Sequence, residues 1–194
     1  MTTQTTAAPK TTCITPPAIA SYAYVWQARP SLNPGGDPQY SCTLLFDKKT
    51  METPEFKEMR RCAMAAAKKK FGEKLPKALV SPFHDGDEEK PDDPMFKGKI
   101  YINAKSKTKP GIVGPDLQPV ANEFDFYSGC LCRASVYFYG YDTAGNKGVS
   151  LLLNNLQKLG DGTRMSGGRK PAEEDFDAVE PMNGGAAVED GIPF

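Results

Sequence analysis

The sequence predicts a mainly β domain, in which five strands form a small antiparallel barrel with one helix and long loops. Three observations support this fold class: short runs that alternate apolar and polar residues, Gly- and Pro-rich breaks between them, and one helical apolar stripe. The chain has 194 residues. We expect a disordered lead over 1–15, the barrel over 16–160 and a disordered acidic tail over 161–194.

The first two predicted strands form a hairpin. Residues 21–28 alternate, with Trp26 on a face shared with Tyr22 and Tyr24, and residues 39–46 form the second strand. The connection 33–38 is rich in Gly and Pro, which favour a turn.

The predicted helix runs from about 53 to 71. Thr53 is a suitable N-cap, Pro54 fits the first helical position, and Glu55 places an acid at the positive end of the helix dipole. Gly72 ends the helix. The predicted apolar stripe consists of Phe56, Met59, Ala63, Ala67 and Phe71.

Three further strands follow the helix. Residues 73–96 are predicted as a polar, solvated insertion and 107–122 as a loop, with a strand over 99–105 between them. A long strand is expected within 127–141. The last segment, 148 to about 159, is predicted to begin as a strand, and whether it continues as a strand or ends as a short helix is left open.

The net charge of zero conceals two oppositely charged parts. Residues 1–160 carry 21 Lys and Arg against 16 Asp and Glu, whereas residues 161–194 carry 3 against 8. A basic body joined to an acidic tail is typical of a polyanion-binding protein in which the tail competes with the polyanion for the basic surface.

Composition argues against several other classes. The five cysteines are odd in number and form no CxxC pair, so we expect neither a disulfide framework nor a zinc site, and a reduced, intracellular chain. No apolar run approaches the length of a membrane span, and the Thr-rich start lacks the apolar stretch of a secretory signal. His84, the single histidine, lies in an acidic loop where Gly86 is misplaced for a calcium loop. We therefore expect no enzyme, no cofactor and no metal.

Aromatic and cationic residues share the outward faces of two strands. Tyr rings on a sheet face can stack on unpaired bases, and Lys or Arg can neutralise phosphates. Ordinary cross-strand packing of tyrosines and solvated edge lysines are the alternatives. For Trp26, a stacking platform and a core position are both open. The candidate nucleic-acid-binding residues are Trp26, Tyr40, Lys48, Lys49, Tyr101, Lys105, Lys107, Lys109, Arg133, Tyr137, Tyr139 and Tyr141.

The end of the chain is an acidic segment with an apolar tip. After Lys170 there are seven acidic residues and no basic one, and the sequence finishes with Ile192-Pro193-Phe194. Such a segment cannot bury enough apolar area to fold alone. We interpret it as a solvated tether that ends in a recognition element.

Several stretches of the body resemble a family of phage single-stranded DNA-binding proteins. The matching stretches are 39–46, 98–104, 126–129, 148–150 and, most specifically, Leu153-Asn154-Asn155-Leu156-Gln157-Lys158-Leu159-Gly160-Asp161-Gly162 followed by 166–168. The resemblance covers about residues 15–170. It implies an OB-like barrel, sequence-independent binding of single-stranded DNA without catalysis, and a role in phage DNA replication, recombination or repair in the cytoplasm of the infected cell.

The tip separately resembles the tails of bacterial single-stranded DNA-binding proteins. Those tails dock their terminal Phe and carboxylate on replication and repair enzymes, which implies partner binding here by Glu189, Asp190, Ile192, Pro193 and Phe194. Gly191 stands where those tails often hold an acid. A strand-annealing mediator, an adaptor that binds no nucleic acid, and a homo-oligomer remain open.

Overall fold

A computed structural model of the chain describes residues 10–31, 35–165 and 177–180. In these residues eight strands form one sheet. The strands are β1 (Thr12–Ile14), β2 (Ala18–Arg29), β3 (Gln39–Asp47), β4 (His84–Asp85), β5 (Lys99–Ser106), β6 (Gly111–Val113), β7 (Leu131–Thr143) and β8 (Asn146–Gly160). The helices are α1 (Pro54–Phe71) and the short α2 (Gly86–Glu89), and a 3-10 turn spans Lys48–Glu52.

Five of the strands close into a barrel. β2 pairs with β3, β3 with β5, β5 with β8 and β8 with β7, and β7 returns to pair with β2. The β5–β8 pairing is parallel and the other four are antiparallel. The predicted barrel is therefore confirmed as an OB-type fold, with one parallel junction that strand alternation did not indicate.

The helix forms as predicted. Thr53 Oγ1 accepts a hydrogen bond from the Phe56 amide at 3.3 Å, and Gly72 ends the helix with a φ of 80°. Such a cap contributes about 1 kcal/mol. The buried face of α1 packs against β7 and consists of Phe56, Met59, Cys62, Ala63, Ala66 and Ala67. Phe71, predicted in the stripe, is only partly buried.

The barrel interior is filled by the inward residues of alternating positions. Phe46 of β3 meets Phe56 of α1 edge to face, with ring centres 5.6 Å apart. All five cysteines are buried and free, and Cys130 and Cys132 belong to the core. In β7 burial alternates along the strand, which leaves the other row on the outer face, whereas Cys42–Phe46 of β3 are buried on both faces.

Both ends of the domain differ from the prediction. Thr12–Ile14, placed in the disordered lead, forms β1 on the edge of β7 and buries Cys13. At the other end, the Met165 amide donates to the Ser128 carbonyl at 2.8 Å, so the chain stays on the barrel past residue 160. Residues 1–9 and most of the predicted tail lie outside the described residues.

The connections hold more structure than their polar composition indicated. Residues 84–98, predicted as part of a solvated insertion, form β4 and α2 and return over β5, with Phe96 fully buried. Gly111–Val113, predicted as loop, is a strand parallel to β8. β8 remains a strand to Gly160, so its end is not helical. No helix in the described ranges is long and apolar enough to span a membrane.

Candidate nucleic-acid interface

An open groove crosses the outer face of β3 and β5. It consists of three adjoining cavities of about 530, 440 and 360 Å³, and Gln39 and Lys105 line all three. We call this surface the groove. Its walls come from β2, β7, β8 and the segment before β4, and its residues include Tyr24, Arg29, Gln39, Ser41, Asn103, Lys105, Tyr139, Tyr141 and Ser150.

Two predicted aromatic residues, Tyr139 and Tyr141, lie in the groove. They occupy successive outward positions of β7 and are half-buried, opposite Ser150 and Gly148 of β8. A Cβ at position 148 would lie 2.5 Å from the Tyr141 hydroxyl oxygen, so only glycine lets this ring lie against the strand. Both rings line one cavity with Lys105, which forms no ion pair within the described residues.

Tyr24 and Arg29 belong to the groove but were not among the predicted residues. The Arg29 guanidinium carbon lies 4.0 Å from the centre of the Tyr24 ring, within cation–π distance. Tyr24 follows a register irregularity in β2, where Tyr22 adopts a φ of 45°. The alternation of aromatic residues in 21–28 was the available signal for Tyr24, and no local pattern pointed to Arg29.

Tyr101, predicted to stack on bases, is buried in the structure. Its side chain is only 4% exposed, because residues 84–98 fold over this half of β5. Phe96 packs edge-on against the ring and His84 stacks on it, each with ring centres 5.0 Å apart. The hydroxyl donates to Glu89 Oε2 at 3.2 Å. Burial first, and then Glu89, raise the pKa of Tyr101 to about 12. No face of this ring is open to a base.

Trp26 is partly buried and held in one orientation. Its Nε1 donates to the Phe126 carbonyl at 2.9 Å, and the ring packs against the core. Lys109 Nζ lies 5.3 Å from the ring centre. The structure therefore combines the two alternatives: Trp26 contacts the core and also borders an exposed lysine.

Lys107 lies at the mouth of the groove. Its Nζ is 2.5 Å from Asp37 Oδ2 in the β2–β3 connection, which lowers the pKa of Asp37. The ion pair is exposed, so phosphate can compete for this lysine at small cost.

Lys48 and Lys49 do not line the groove. Lys48 Nζ lies 2.8 Å from carboxylate oxygens of both Asp85 and Asp87, and hydrogen bonds to them raise the pKa of Lys48 to about 12. It therefore ties the end of β3 to the 84–98 segment. Lys49 is exposed in the same 3-10 turn.

The remaining predicted residues are dispersed. Tyr40 is partly buried on β3 and is not a groove residue. Arg133 lies near the other end of β7, where its Nε donates to Gln157 Oε1 at 2.8 Å. Tyr137 lines a smaller cavity that adjoins the groove at Tyr139. The predicted partner-binding residues Glu189, Asp190, Ile192, Pro193 and Phe194 lie outside the described residues.

A family model supplies the decisive comparison. The model described as "Enterobacter phage Enc34, ssDNA-binding protein" matches residues 11–187. The chain belongs to this family. Membership in a family of DNA-binding proteins confirms the resemblance noted in the sequence and agrees with the expectation that the chain is not an enzyme. Within the described residues, no group of three or more His, Cys, Asp or Glu is arranged to hold a metal ion.

One curated protein is similar to part of the chain. "Putative protein p50" of Acyrthosiphon pisum secondary endosymbiont phage 1 is 38% identical over 94 residues, which are 48% of this chain and 50% of that protein. The chain thus matches about half the length of this curated relative.

Two solved structures share the fold. The single-stranded DNA-binding protein of bacteriophage Enc34, in complex with ssDNA, has a TM-score of 0.70 and 22% identity, covering 79% of this chain and 88% of that one. The bacteriophage T7 single-stranded DNA-binding protein gp2.5 has a TM-score of 0.56 and 16% identity, covering 84% of this chain and 98% of that one. At these identities the similarity shows the shared fold.

Proposed function

We propose that the groove binds single-stranded DNA without sequence preference and without catalysis, in phage DNA replication or recombination. The carrying observation is that Lys105, without an ion pair in the described residues, lies in one cavity with the rings of Tyr139 and Tyr141. Rings hold bases through their flat faces, whatever the sequence, and cations replace the counterions of the backbone. Family membership and the DNA-bound relative support the same function.

The two ends of the groove have different roles in this proposal. Tyr139 and Tyr141 stack on bases at one wall, and Tyr24 with Arg29 holds the strand at the other. Lys105 contacts phosphate between them, and Lys107 exchanges Asp37 for phosphate at the mouth. Lys109 acts beside Trp26, so the single tryptophan reports on binding.

A titration with oligo-dT at two salt concentrations tests this function. We expect quenching of Trp26 fluorescence and an affinity that falls steeply with salt, with duplex DNA competing poorly. Equal competition by duplex, or no salt-dependent signal, would overturn the proposal.

Tyr139→Ala separates a stacking ring from a structural one. Loss of one base-stacking platform should weaken oligo-dT binding by about 1–3 kcal/mol. Tyr139→Phe is the matched control, because it keeps the ring, and it should bind like the wild type. Chemical unfolding of both variants should follow the wild-type curve; an unfolded Tyr139→Ala chain would show that the ring belongs to the core.

For the tail, we propose that its carboxylates compete with DNA for the groove and that its Ile192-Pro193-Phe194 segment recruits partner proteins. Seven acidic residues after Lys170 oppose a body with an excess of Lys and Arg. Truncation after Lys170 should tighten DNA binding, and so should replacing the seven acids by Asn and Gln at full length. Unchanged affinity in both would exclude the competitor role. Partner capture should be lost on deleting Phe194.

A further inference from the structure

A second cationic surface adjoins the groove at the last turn of α1. A cavity of about 200 Å³ is lined there by Lys69 and Lys70 of the helix and by Tyr137, Tyr139 and Gly140 of β7. Tyr139 also lines the groove, so the two surfaces are contiguous. We call Lys69, Lys70 and Tyr137 the helix-end subsite.

Gly140 determines how near these lysines come to β7. A Cβ at position 140 would lie 2.5 Å from the Lys70 Cβ and 3.2 Å from the Ala66 carbonyl oxygen. Any larger residue would move the last turn of α1 away from the strand. The close contact therefore keeps the two lysine side chains beside the outward row of β7.

The two lysines of the helix-end subsite have no carboxylate partner among the described residues. Neither Lys69 nor Lys70 forms an ion pair with a described carboxylate, whereas their neighbour Lys68 lies 2.7 Å from Glu73. Nearer the start of α1, Lys57 pairs with Glu52 and Arg61 with Glu58. Lysines in a last turn complement the helix dipole. The helix dipole does not explain why both lysines line a cavity with Tyr137 and Tyr139 beside the groove.

We propose that single-stranded DNA longer than the groove continues past Tyr139 and Tyr137 and that Lys69 and Lys70 bind its phosphates. The outward row of β7 runs directly from Tyr139 to Tyr137, and Leu152, opposite Tyr137 on β8, is 41% exposed. Leu152 also lines the groove, so the groove and Tyr137 of the helix-end subsite meet at this strand pair. This extension rests on the proposed function of the groove and enlarges the DNA site onto the helix.

The test compares short and long oligo-dT on the full chain. A short oligomer of about 6 nucleotides falls within the span of one OB fold, and one of about 30 exceeds it. K69A/K70A should bind the short oligomer like the wild type. For the long oligomer, its slope of log affinity against log salt should be smaller by about 1.4, the contribution of two phosphate contacts to a single strand.

The control variant is K57A/R61A, which removes two charges from the same helix on residues that are already ion-paired. It should keep the wild-type slope. Alanine favours helix, so both variants should unfold like the wild type. Equal slopes for K69A/K70A and wild type, or an equal loss in K57A/R61A, would overturn the helix-end subsite. If the wild type binds neither oligomer, the proposed function of the groove fails, and the extension with it.

Discussion

Thr43 Oγ1 donates a 2.8 Å hydrogen bond to Asn103 Oδ1 across the paired strands β3 and β5. Thr43 is 7% exposed and Asn103 is exposed in the groove. Because the amide oxygen is engaged, the amide nitrogen of Asn103 is directed away from Thr43 and can donate to a bound strand. The pair orients a donor on the floor of the groove.

Replacing Asn103 by Asp should weaken binding of oligo-dT. The carboxylate keeps the acceptor for Thr43 but loses the donor and repels phosphate, at a cost of about 1.5–3 kcal/mol. Thr43→Val is the matched variant, because it only releases the orientation of Asn103 and should cost less. Fluorescence titration at low salt measures both, and wild-type affinity in Asn103→Asp would exclude a role for this amide.

Tyr101 should behave as a core residue, in contrast to Tyr139. Tyr101→Ala removes a ring packed between Phe96 and His84 and should lower the free energy of unfolding by about 3–5 kcal/mol. Tyr101→Phe loses only the hydrogen bond to Glu89, about 1 kcal/mol. Denaturant unfolding checks both. Tyr101→Phe should bind oligo-dT like the wild type; weaker binding by this variant would show that Tyr101 contributes to the DNA site.

The ion pairs of Lys48 with Asp85 and Asp87 predict a stability that declines in acid. Hydrogen bonds from Lys48 and the Gly98 amide lower the pKa of Asp87 in the folded chain. A lowered folded pKa gives stability that is present above the unfolded carboxyl pKa of about 4 and is lost as the pH falls through the folded value. Lys48→Gln removes the main cause. Between neutral pH and about pH 2, its free energy of unfolding should therefore fall less than that of the wild type; parallel curves would contradict this.

The five buried thiols should react together and slowly. Burial, above all, raises the pKa values of Cys13 and Cys42 to about 12 and those of Cys62, Cys130 and Cys132 in the same direction. Since the thiolate is the nucleophile, a thiol reagent must wait for the chain to open. Lys49→Cys, at an exposed position, is the positive control and should add one fast-reacting thiol. Rapid reaction of any native cysteine would contradict the prediction.

Local patterns predicted the helix and the long strands because their causes are local. Thr53, Pro54 and Gly72 set the ends of α1, and alternation marked the strands of the barrel. The three-residue strands β1 and β6 are too short to show a period, and each forms only because a distant strand offers an edge. The burial of Phe96 was hidden by the acidic residues around it.

The same distinction applies to the groove. Lys105, Tyr139 and Tyr141 were predicted from alternation, which decides the face of a strand and nothing more. Whether that face stays open depends on what folds over it: the 84–98 segment covers Tyr101 and leaves Lys105 exposed on the same strand. Arg29 lies opposite Gln39 in the β2–β3 pair and lines the groove together with Lys105 of β5, a three-strand arrangement that no local pattern encodes.

The pairing of the first strands with β7 has a consequence for synthesis of the chain. Cys13 of β1 lies opposite Val136, and Ala18 of β2 lies opposite Cys132. Both strands therefore pair with β7, which is synthesised much later. On the ribosome β2 can pair only with β3 and then β5, and until β7 and β8 are made the apolar side of this open sheet can be covered only in part, by α1. Closure must follow the emergence of β7 and β8. The barrel therefore folds late in translation, and its long-range contacts favour slow folding.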